Sequence, residues 1–271
     1  LVEVAEALVG RITGGLGAVA IVSCAIIGAI AGTCSAAVAA LSGLVIPEME
    51  KRGYTRGYAT GLLAVSSVLG QLIPPSVPMI LYGFITMTSV TACFLSTVGP
   101  GILTIVIYCI VNYFSVRHNP NIRKSPPVYF KTQAKQVGKA TRHAFWSLML
   151  PVVLLGGIYG GIFTPTEAAV VALVMAILIG LFVHKDLKFK DIGRVLVQQS
   201  VTTGVVVLMV IFVLVLSRIM TMQNIPQEMI AFVSGITDNY YLTLLMGNVF
   251  LIFLGMIVDD FTGTLLAAPL L

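Results

Sequence analysis

Two uncharged runs near the start of the chain are both longer than one membrane crossing requires. Residues 12–47 and residues 57–116 contain no Asp, Glu, Lys, Arg or His. A single helix over residues 12–47 would be about 54 Å long, whereas the hydrocarbon core of a bilayer is about 30 Å thick. We therefore expect this run to fold back as a re-entrant hairpin, and a close-packed kinked helix is the alternative.

Three prolines, Pro74, Pro75 and Pro78, interrupt the second run. A regular helix cannot pass through them, because proline lacks the N–H donor and its ring clashes with the preceding turn. Irregular backbone at membrane depth persists only where protein covers it or where it lines a wet cavity, and in transporters such breaks mark the solute path. The pattern predicts a broken helix over residues 57–92 and a span over residues 93–116.

Further apolar runs predict spans in the second half of the chain. We expect them at residues 146–163, 166–183 and 195–217, followed by a truncated limb of a second hairpin at residues 239–271. The turn between the first two spans has the form of a capping box, with Thr164 as N-cap and Glu167 reaching back to it. A role for Glu167 in binding an ion or solute is the alternative.

Composition and loop charge agree with a helical membrane protein. Hydrophobic residues make up 58% of the chain and charged residues 10%, and the mean hydropathy is +1.00. The net charge of +5 resides largely in connectors such as residues 117–143, which are basic without any acid and are expected on the cytoplasmic side. The excess charge thus indicates topology, and no nucleic-acid partner is expected. The four cysteines lack metal-binding spacing and are expected to be free thiols.

An internal similarity links residues 5–47 with residues 227–269. Each segment passes from a short amphipathic stretch through an apolar limb to a Gly, a polar tip and a Pro. Since the two segments start on opposite sides of the membrane, they predict inverted repeats. We assign residues 1–143 to the first repeat portion and residues 144–271 to the second. The chain lacks an initial Met and stops inside an apolar run, so we expect it to be the middle of a longer polypeptide.

An ordered set of short motifs resembles the large membrane subunit of tripartite ATP-independent periplasmic (TRAP) transporters, the DctM-like subunit. Each motif is weak alone, but the order is specific and the match runs through essentially the whole chain. The motifs are Ile46-Pro47-Glu48-Met49, Lys51-Arg52-Gly53-Tyr54, Gly70-Gln71-Leu72-Ile73-Pro74-Pro75-Ser76, Gly99-Pro100-Gly101, Leu155-Gly156-Gly157-Ile158, Phe163-Thr164-Pro165-Thr166-Glu167 and Gly255-Met256-Ile257-Val258-Asp259.

The resemblance implies an all-α polytopic protein of the bacterial inner membrane, built from inverted repeats with re-entrant hairpins and a broken helix. It implies an elevator-type importer that couples sodium to the uptake of a small organic anion, such as a C4-dicarboxylate or sialic acid. The implied partners are a periplasmic solute-binding protein and a smaller four-helix membrane subunit, beside the lipid bilayer. Sodium is the coupling ion, and no organic cofactor is expected.

Three other functions compete with this one. A passive channel and a sodium/carboxylate symporter that needs no binding protein remain as alternatives, because unwound backbone also forms selectivity filters. An enzyme is not expected, since no His lies within an apolar span and neither HExxH nor GxSxG occurs.

The resemblance also implies a sodium site where the first hairpin tip meets the broken helix. Sodium prefers oxygen ligands, and irregular backbone supplies carbonyls that no helix uses. Where the family has Ser-Gly-Ser-Ser, this chain reads Ala-Gly-Thr-Cys. Two hydroxyl groups are therefore missing, and backbone carbonyls are expected to supply more of the ligands than side chains do. The candidates are Ala31, Gly32, Thr33, Cys34 and Ser35 at the tip, and Gly70, Pro74, Pro75 and Ser76 at the break.

Asp259 and Thr262 are the candidates for the substrate or a second cation. A carboxylate at the deep end of an apolar limb is costly without a partner, and such residues commonly serve solute pathways. The alternative is that Asp259 only reaches the headgroup region after a full crossing from Asn239. Its position in the family motif favours the functional interpretation.

Overall fold

A computed structural model describes residues 2, 5, 14–117, 122, 130–185, 187–237 and 239–268, without the side chains of residues 130–144. These residues form helices and contain no strand, which confirms the predicted all-α class. The helices are α1 (Gly15–Ala31), α2 (Cys34–Lys51), α3 (Arg56–Ser66), α4 (Leu69–Leu72), α5 (Val77–Thr86), α6 (Val90–Val116), α7 (Phe130–Tyr159), α8 (Pro165–Leu178), α9 (Phe189–Met222), α10 (Ile225–Ile236), α11 (Tyr240–Ile257) and α12 (Asp260–Ala267).

Several described helices are long and apolar enough to cross a membrane. They are Val90–Val116, Pro165–Val183, Phe189–Met222 and Tyr240–Ile257, and the pair Arg56–Leu72 and Val77–Thr86 adds a broken span. Their apolar side chains are largely exposed, with Phe212 at 70% and Ile252 at 64%. Exposed apolar surface of this extent is stable in lipid, so the polytopic membrane prediction is confirmed.

The first uncharged run is a hairpin, as its length predicts, rather than one kinked helix. Helix α1 ends at Gly32, whose φ of +67° favours glycine and whose N–H donates to the Gly28 carbonyl at 2.8 Å. Thr33 is extended, and α2 then returns along α1 and shares one apolar core with it. The second limb continues past Pro47 to Lys51, which is farther than predicted. Proline is tolerated within membrane helices where neighbouring groups satisfy the freed carbonyl.

The predicted broken helix is also present. Helix α4 ends at Leu72, Ile73 is extended with φ −90° and ψ 121°, and α5 begins at Val77. The Pro74–Pro75 bond is cis. The predicted boundary at residues 92 and 93 is wrong, because α5 ends at Thr86 and α6 begins at Val90. No charge, glycine or proline marks this turn in the sequence, so the uncharged pattern alone did not reveal it.

Span boundaries in the second half differ from the predicted ones at their ends. Helix α7 starts within the basic segment at Phe130 and stops at Tyr159, before a turn at Gly160 and Gly161. Helix α8 starts at Pro165 and passes into a single π-helical turn, Ile179–Val183. Helix α9 exceeds residues 195–217 at both ends. Charged residues end an uncharged run but do not end a helix, because they remain good helix formers.

The chain divides into two compact units. The first contains Leu1–Val77 and Thr91–Asp186, and its core lies where α1 and α2 pack on α3 and α4. The second contains Pro78–Val90 and Leu187–Leu271, and in it α12 packs on α9 and α11. These units do not coincide with residues 1–143 and 144–271. The assignment of two inverted repeats rests on the similarity between two sequence segments, so these units do not test it and it stays a prediction.

Candidate functional site

The tip of the first hairpin and the break in the second helix lie against each other. A Cβ atom added to Gly28 would overlap the Cα atom of Gly70. A Cβ atom added to Gly70 would lie 2.8 Å from the Thr33 carbonyl oxygen. Helix α1, the tip and α4 are therefore in backbone-to-backbone contact, which small residues permit between membrane helices.

A second set of contacts joins the tip to the residues after the break. The Val77 N–H donates to the Gly32 carbonyl at 3.4 Å. A Cβ atom on Gly32 would lie 2.7 Å from the Pro75 carbonyl oxygen and 3.9 Å from the Ser76 Cα atom. The two irregular segments thus meet, as the sequence predicts.

The structure brings some of the predicted site residues into contact, and the others lie around that contact. The contacts join Gly32 and Thr33 of the tip to Gly70, Pro75 and Ser76 of the break.

The remaining candidates lie around this contact. Pro74 is buried beside it, and Cys34 is the half-buried first residue of α2. Ala31 and Ser35 are exposed. The contact therefore centres on fewer residues than the sequence proposed.

Sequence reasoning missed two residues of this contact. Gly28 touches Gly70, and Val77 supplies a backbone donor to the tip. Gly28 lies one helical turn before Gly32, so the i, i+4 spacing of two small residues was a usable signal. The role of Val77 is a main-chain one, and no side-chain pattern could have indicated it.

The chemistry of the contact suits a hard cation. The Ser76 hydroxyl is fully buried and has no hydrogen-bond partner among the described residues. The carbonyls of Thr33 and Pro75 lie at the same contact. Helices α1 and α4 end here, and helices α2 and α5 begin here, so helix ends of both signs meet at the contact. The carbonyl and hydroxyl oxygens at this contact match the ligand preference of sodium.

The second candidate region is a break in the second compact unit. Helix α11 ends at Ile257, and Asp259 is the N-cap of α12, where its carbonyl accepts from the Gly263 N–H at 2.7 Å. A cavity of about 320 Å³ lies at this break. Its lining comprises Leu251, Leu254, Gly255, Val258, Asp259, Asp260, Gly263, Thr264 and Ala267.

Of this lining, Asp259 alone was among the predicted site residues, and the polar residues Asp260 and Thr264 were missed. The Thr264 hydroxyl donates to the Asp260 carbonyl at 2.8 Å. Thr262 lies half-buried in α12 and is not part of the described lining. The i, i+4 relation of Asp260 and Thr264 would have identified this face if the tip had been treated as helical.

The turn before α8 is a capping box, as predicted. The Thr164 N–H donates to a Glu167 carboxylate oxygen at 2.8 Å, and the Glu167 N–H donates to the Thr164 hydroxyl at 3.3 Å. The carboxylate also accepts from the Thr164 hydroxyl at 2.9 Å. The spacing of Thr, Pro and Glu is thus explained by the start of a helix.

Comparison with known proteins places these features in a family. Residues 1–271 match the family described as "Tripartite ATP-independent periplasmic transporter, DctM component". The chain is 33% identical over 270 residues to the C4-dicarboxylate TRAP transporter large permease protein DctM of Pseudomonas aeruginosa, covering 100% of this chain and 62% of that protein. It is 35% identical over 267 residues to the sialic acid TRAP transporter large permease protein SiaM of Vibrio cholerae, covering 98% and 61%.

A third relative is a longer protein. The chain is 31% identical over 271 residues to the isethionate TRAP transporter permease protein DctMQ of Oleidesulfovibrio alaskensis, covering 100% of this chain and 42% of that protein. The chain thus spans about three fifths of the length of the first two relatives and less of the third.

Proposed function

This chain belongs to the DctM component family of tripartite ATP-independent periplasmic transporters, and from that membership we propose that it contributes the ion-coupling part of a sodium-driven importer of a small organic anion. The family consists of transporter permeases rather than enzymes, and it locates the chain in the bacterial inner membrane. Relatives named for a C4-dicarboxylate, sialic acid and isethionate support an acidic substrate.

The observation that carries the proposal is the buried Ser76 hydroxyl at the contact between tip and break, which has no hydrogen-bond partner among the described residues. The Ser23 and Ser66 hydroxyls share that property, and the position at this contact singles out Ser76. A buried polar group without a hydrogen bond is costly, and in native structures such groups often mark a ligand position. Backbone carbonyls of Thr33 and Pro75 lie at the same contact. We propose that these carbonyls, with the hydroxyls of Ser76 and Thr33, hold the sodium ion.

Coupling follows from the electrostatics of that contact. The carbonyl oxygens of the two irregular segments repel one another when they are brought together. Sodium supplies the positive charge that offsets this repulsion. The chain's own contribution is geometric, because Gly28, Gly32 and Gly70 let the two irregular segments approach closely enough to share one ion.

Asp259 and Asp260 extend the proposal to the second hairpin. Two neighbouring carboxylates repel an anionic substrate and attract a cation. We therefore propose Asp259 as part of a second cation site rather than as a contact to the substrate anion. The substrate is delivered by a periplasmic solute-binding protein, and a smaller membrane subunit completes the complex.

Sodium dependence of uptake tests the proposal. The full-length protein, reconstituted with its small subunit and binding protein in proteoliposomes, should take up its substrate only with an inward sodium gradient. Ser76→Ala and Thr33→Ala should each raise the half-saturating sodium concentration about tenfold, equivalent to about 1.4 kcal/mol of lost ion binding. Ser67→Ala is the matched control, because the Ser67 hydroxyl already donates to the Ala64 carbonyl at 2.7 Å.

Three results would contradict the proposal. Passive current without sodium or binding protein would indicate a channel. Sodium-driven uptake without the binding protein would indicate the simpler symporter. Unchanged sodium affinity in both variants would remove those side chains from the site.

A further inference from the structure

A buried amide lies at the base of the first hairpin, at the opposite end of α1 from the tip. The Asn112 side chain on α6 is 1% exposed. Its amide N–H donates to the Gly14 carbonyl at 3.0 Å, and its carbonyl oxygen accepts from the Tyr58 hydroxyl of α3 at 3.0 Å. We call Gly14, Tyr58 and Asn112 the base node. The node joins three helices that are far apart in sequence.

The base node attaches to the starting carbonyl of α1. The Gly14 carbonyl also accepts from the Gly17 N–H at 2.9 Å and from the Ala18 N–H at 3.2 Å, which are the first backbone bonds of this helix. Helix α1 is uninterrupted to Ala31, so it is a rod of about 24 Å. A displacement at its base is therefore transmitted to the tip.

Helix α6 contacts both ends of this arrangement. At the level of the break, a Cβ atom on Gly101 would lie 3.5 Å from the Leu72 carbonyl oxygen and 3.4 Å from Ile73 Cγ1, which is ordinary van der Waals contact. At the base level, Asn112 bonds to Gly14 and Tyr58. Helix α6 therefore contacts this part of the fold at two positions, Gly101 and Asn112, which lie about 17 Å apart along the helix.

We propose that Asn112 is a positioning residue, whose amide holds the base of the first hairpin against α3 and α6 and thereby sets the position of the hairpin tip at the cation site. This inference rests on the proposed function. An apolar side chain could fill the same space, but it would not fix the orientation of three helices. A buried amide bonded through both of its polar atoms does so, because each atom has a partner in a defined direction.

Two substitutions test the hydrogen bonds of the base node one at a time. Asn112→Asp keeps the acceptor for Tyr58 but loses the donor and places an oxygen against the Gly14 carbonyl. Tyr58→Phe leaves the bond to Gly14 intact and removes the bond from the Tyr58 hydroxyl to Asn112, together with the interaction of that hydroxyl with Ser115. In the full-length protein we expect Asn112→Asp to raise the half-saturating sodium concentration at least fivefold and Tyr58→Phe less than threefold. Thr104→Ala is the control on α6, because among the described residues its hydroxyl donates within the helix, to the Pro100 carbonyl at 2.8 Å.

A disulfide in place of the Asn112–Gly14 hydrogen bond distinguishes a positioning role of Asn112 from a space-filling one. A Cβ atom on Gly17 would lie 2.7 Å from Asn112 Cγ, so cysteines at positions 17 and 112 come within the reach of a disulfide. In a background without the four native cysteines, the oxidised Gly17→Cys, Asn112→Cys pair should restore sodium affinity. The reduced pair should resemble Asn112→Asp. Equal sodium affinity of the oxidised and reduced pairs would overturn the proposal, as would unchanged affinity in Asn112→Asp.

A distance measurement keeps this test separate from the proposed function. Spin labels at the exposed residues Ser35 and Ala64 report the position of the tip relative to α3 without any sodium. Asn112→Asp should broaden or shift their distance distribution, and the oxidised cysteine pair should narrow it again. An unchanged distribution in folded Asn112→Asp would overturn the positioning role. Absence of sodium-driven uptake in the wild type would instead refute the proposed function.

Discussion

Gly28 and Gly70 touch backbone to backbone, with no space for a side chain on either residue. Gly28 lies in α1 and Gly70 in the short helix before the break, so this contact holds the hairpin tip against the broken helix. The neighbouring Thr33 carbonyl is close to Gly70 as well. The proposed cation site therefore depends on two glycines, which have no side chain to bind an ion themselves.

Gly70→Ala should destabilise this contact. Its new methyl group would meet the Thr33 carbonyl at 2.8 Å, and the backbone cannot yield as a flexible side chain would. Overpacking of this kind costs about 1–3 kcal/mol, and we expect a lower thermal unfolding midpoint and a weaker sodium dependence of that midpoint. Gly61→Ala is the matched control, because nothing lies within 4 Å of its added Cβ atom. Equal midpoints for both variants would refute the contact.

Thr164→Ala should weaken the start of α8 without affecting the ion site. The substitution removes the N-cap acceptor and one of the two bonds from Thr164 to the Glu167 carboxylate. Loss of an N-cap costs about 1 kcal/mol, which should lower the unfolding midpoint. The half-saturating sodium concentration should stay at the wild-type value. A change in sodium affinity would instead favour the ion-binding role of Glu167.

Asp259→Asn should reduce the sodium cooperativity of uptake if the second hairpin holds a cation. The substitution removes a negative charge from the lining of the cavity at this break. Hill coefficients from sodium titrations of uptake provide the measurement.

The structure also distinguishes two threonines of α12. Thr264→Val should weaken the sodium dependence of uptake more than Thr262→Val does, because Thr264 lines the cavity and Thr262 is not part of its described lining. Sodium titrations of the two variants, measured side by side, provide the comparison. A larger effect of Thr262→Val would instead favour Thr262 as the site residue, which is what the sequence predicts.

The orientation derived from loop charge has a direct test. Lys188 precedes α9 and Asn224 follows it, and both residues are exposed. Residues 184–194 carry four Lys or Arg residues against two Asp residues and are expected inside, whereas residues 218–238 carry one Arg against two acidic residues and are expected outside. A membrane-impermeant thiol reagent added to intact cells should label Asn224→Cys and spare Lys188→Cys. Inverted vesicles should give the reverse pattern, and the same labelling on both sides would contradict the topology.

Local features of the sequence accounted for much of the fold. The length of residues 12–47 predicted the hairpin, the prolines near position 74 predicted the break, and Thr164 with Glu167 predicted the start of a helix. Each of these features acts within one or two turns of chain. The turn at Met87 was missed because it carries neither charge nor proline, and its backbone has a positive φ of 55° at a residue that does not favour it.

The sequence by itself determined that the chain is a helical membrane protein, where its helices are interrupted, and which family it resembles. Hydrophobicity and missing N–H donors are properties of residues, so they can be read without coordinates. Only the tertiary structure decided that Gly28 meets Gly70, that Asn112 bonds to Gly14 and Tyr58, and that Thr264 rather than Thr262 faces the cavity. These relations depend on how separate helices pack, and helix packing is set by the fit of whole surfaces rather than by any single residue.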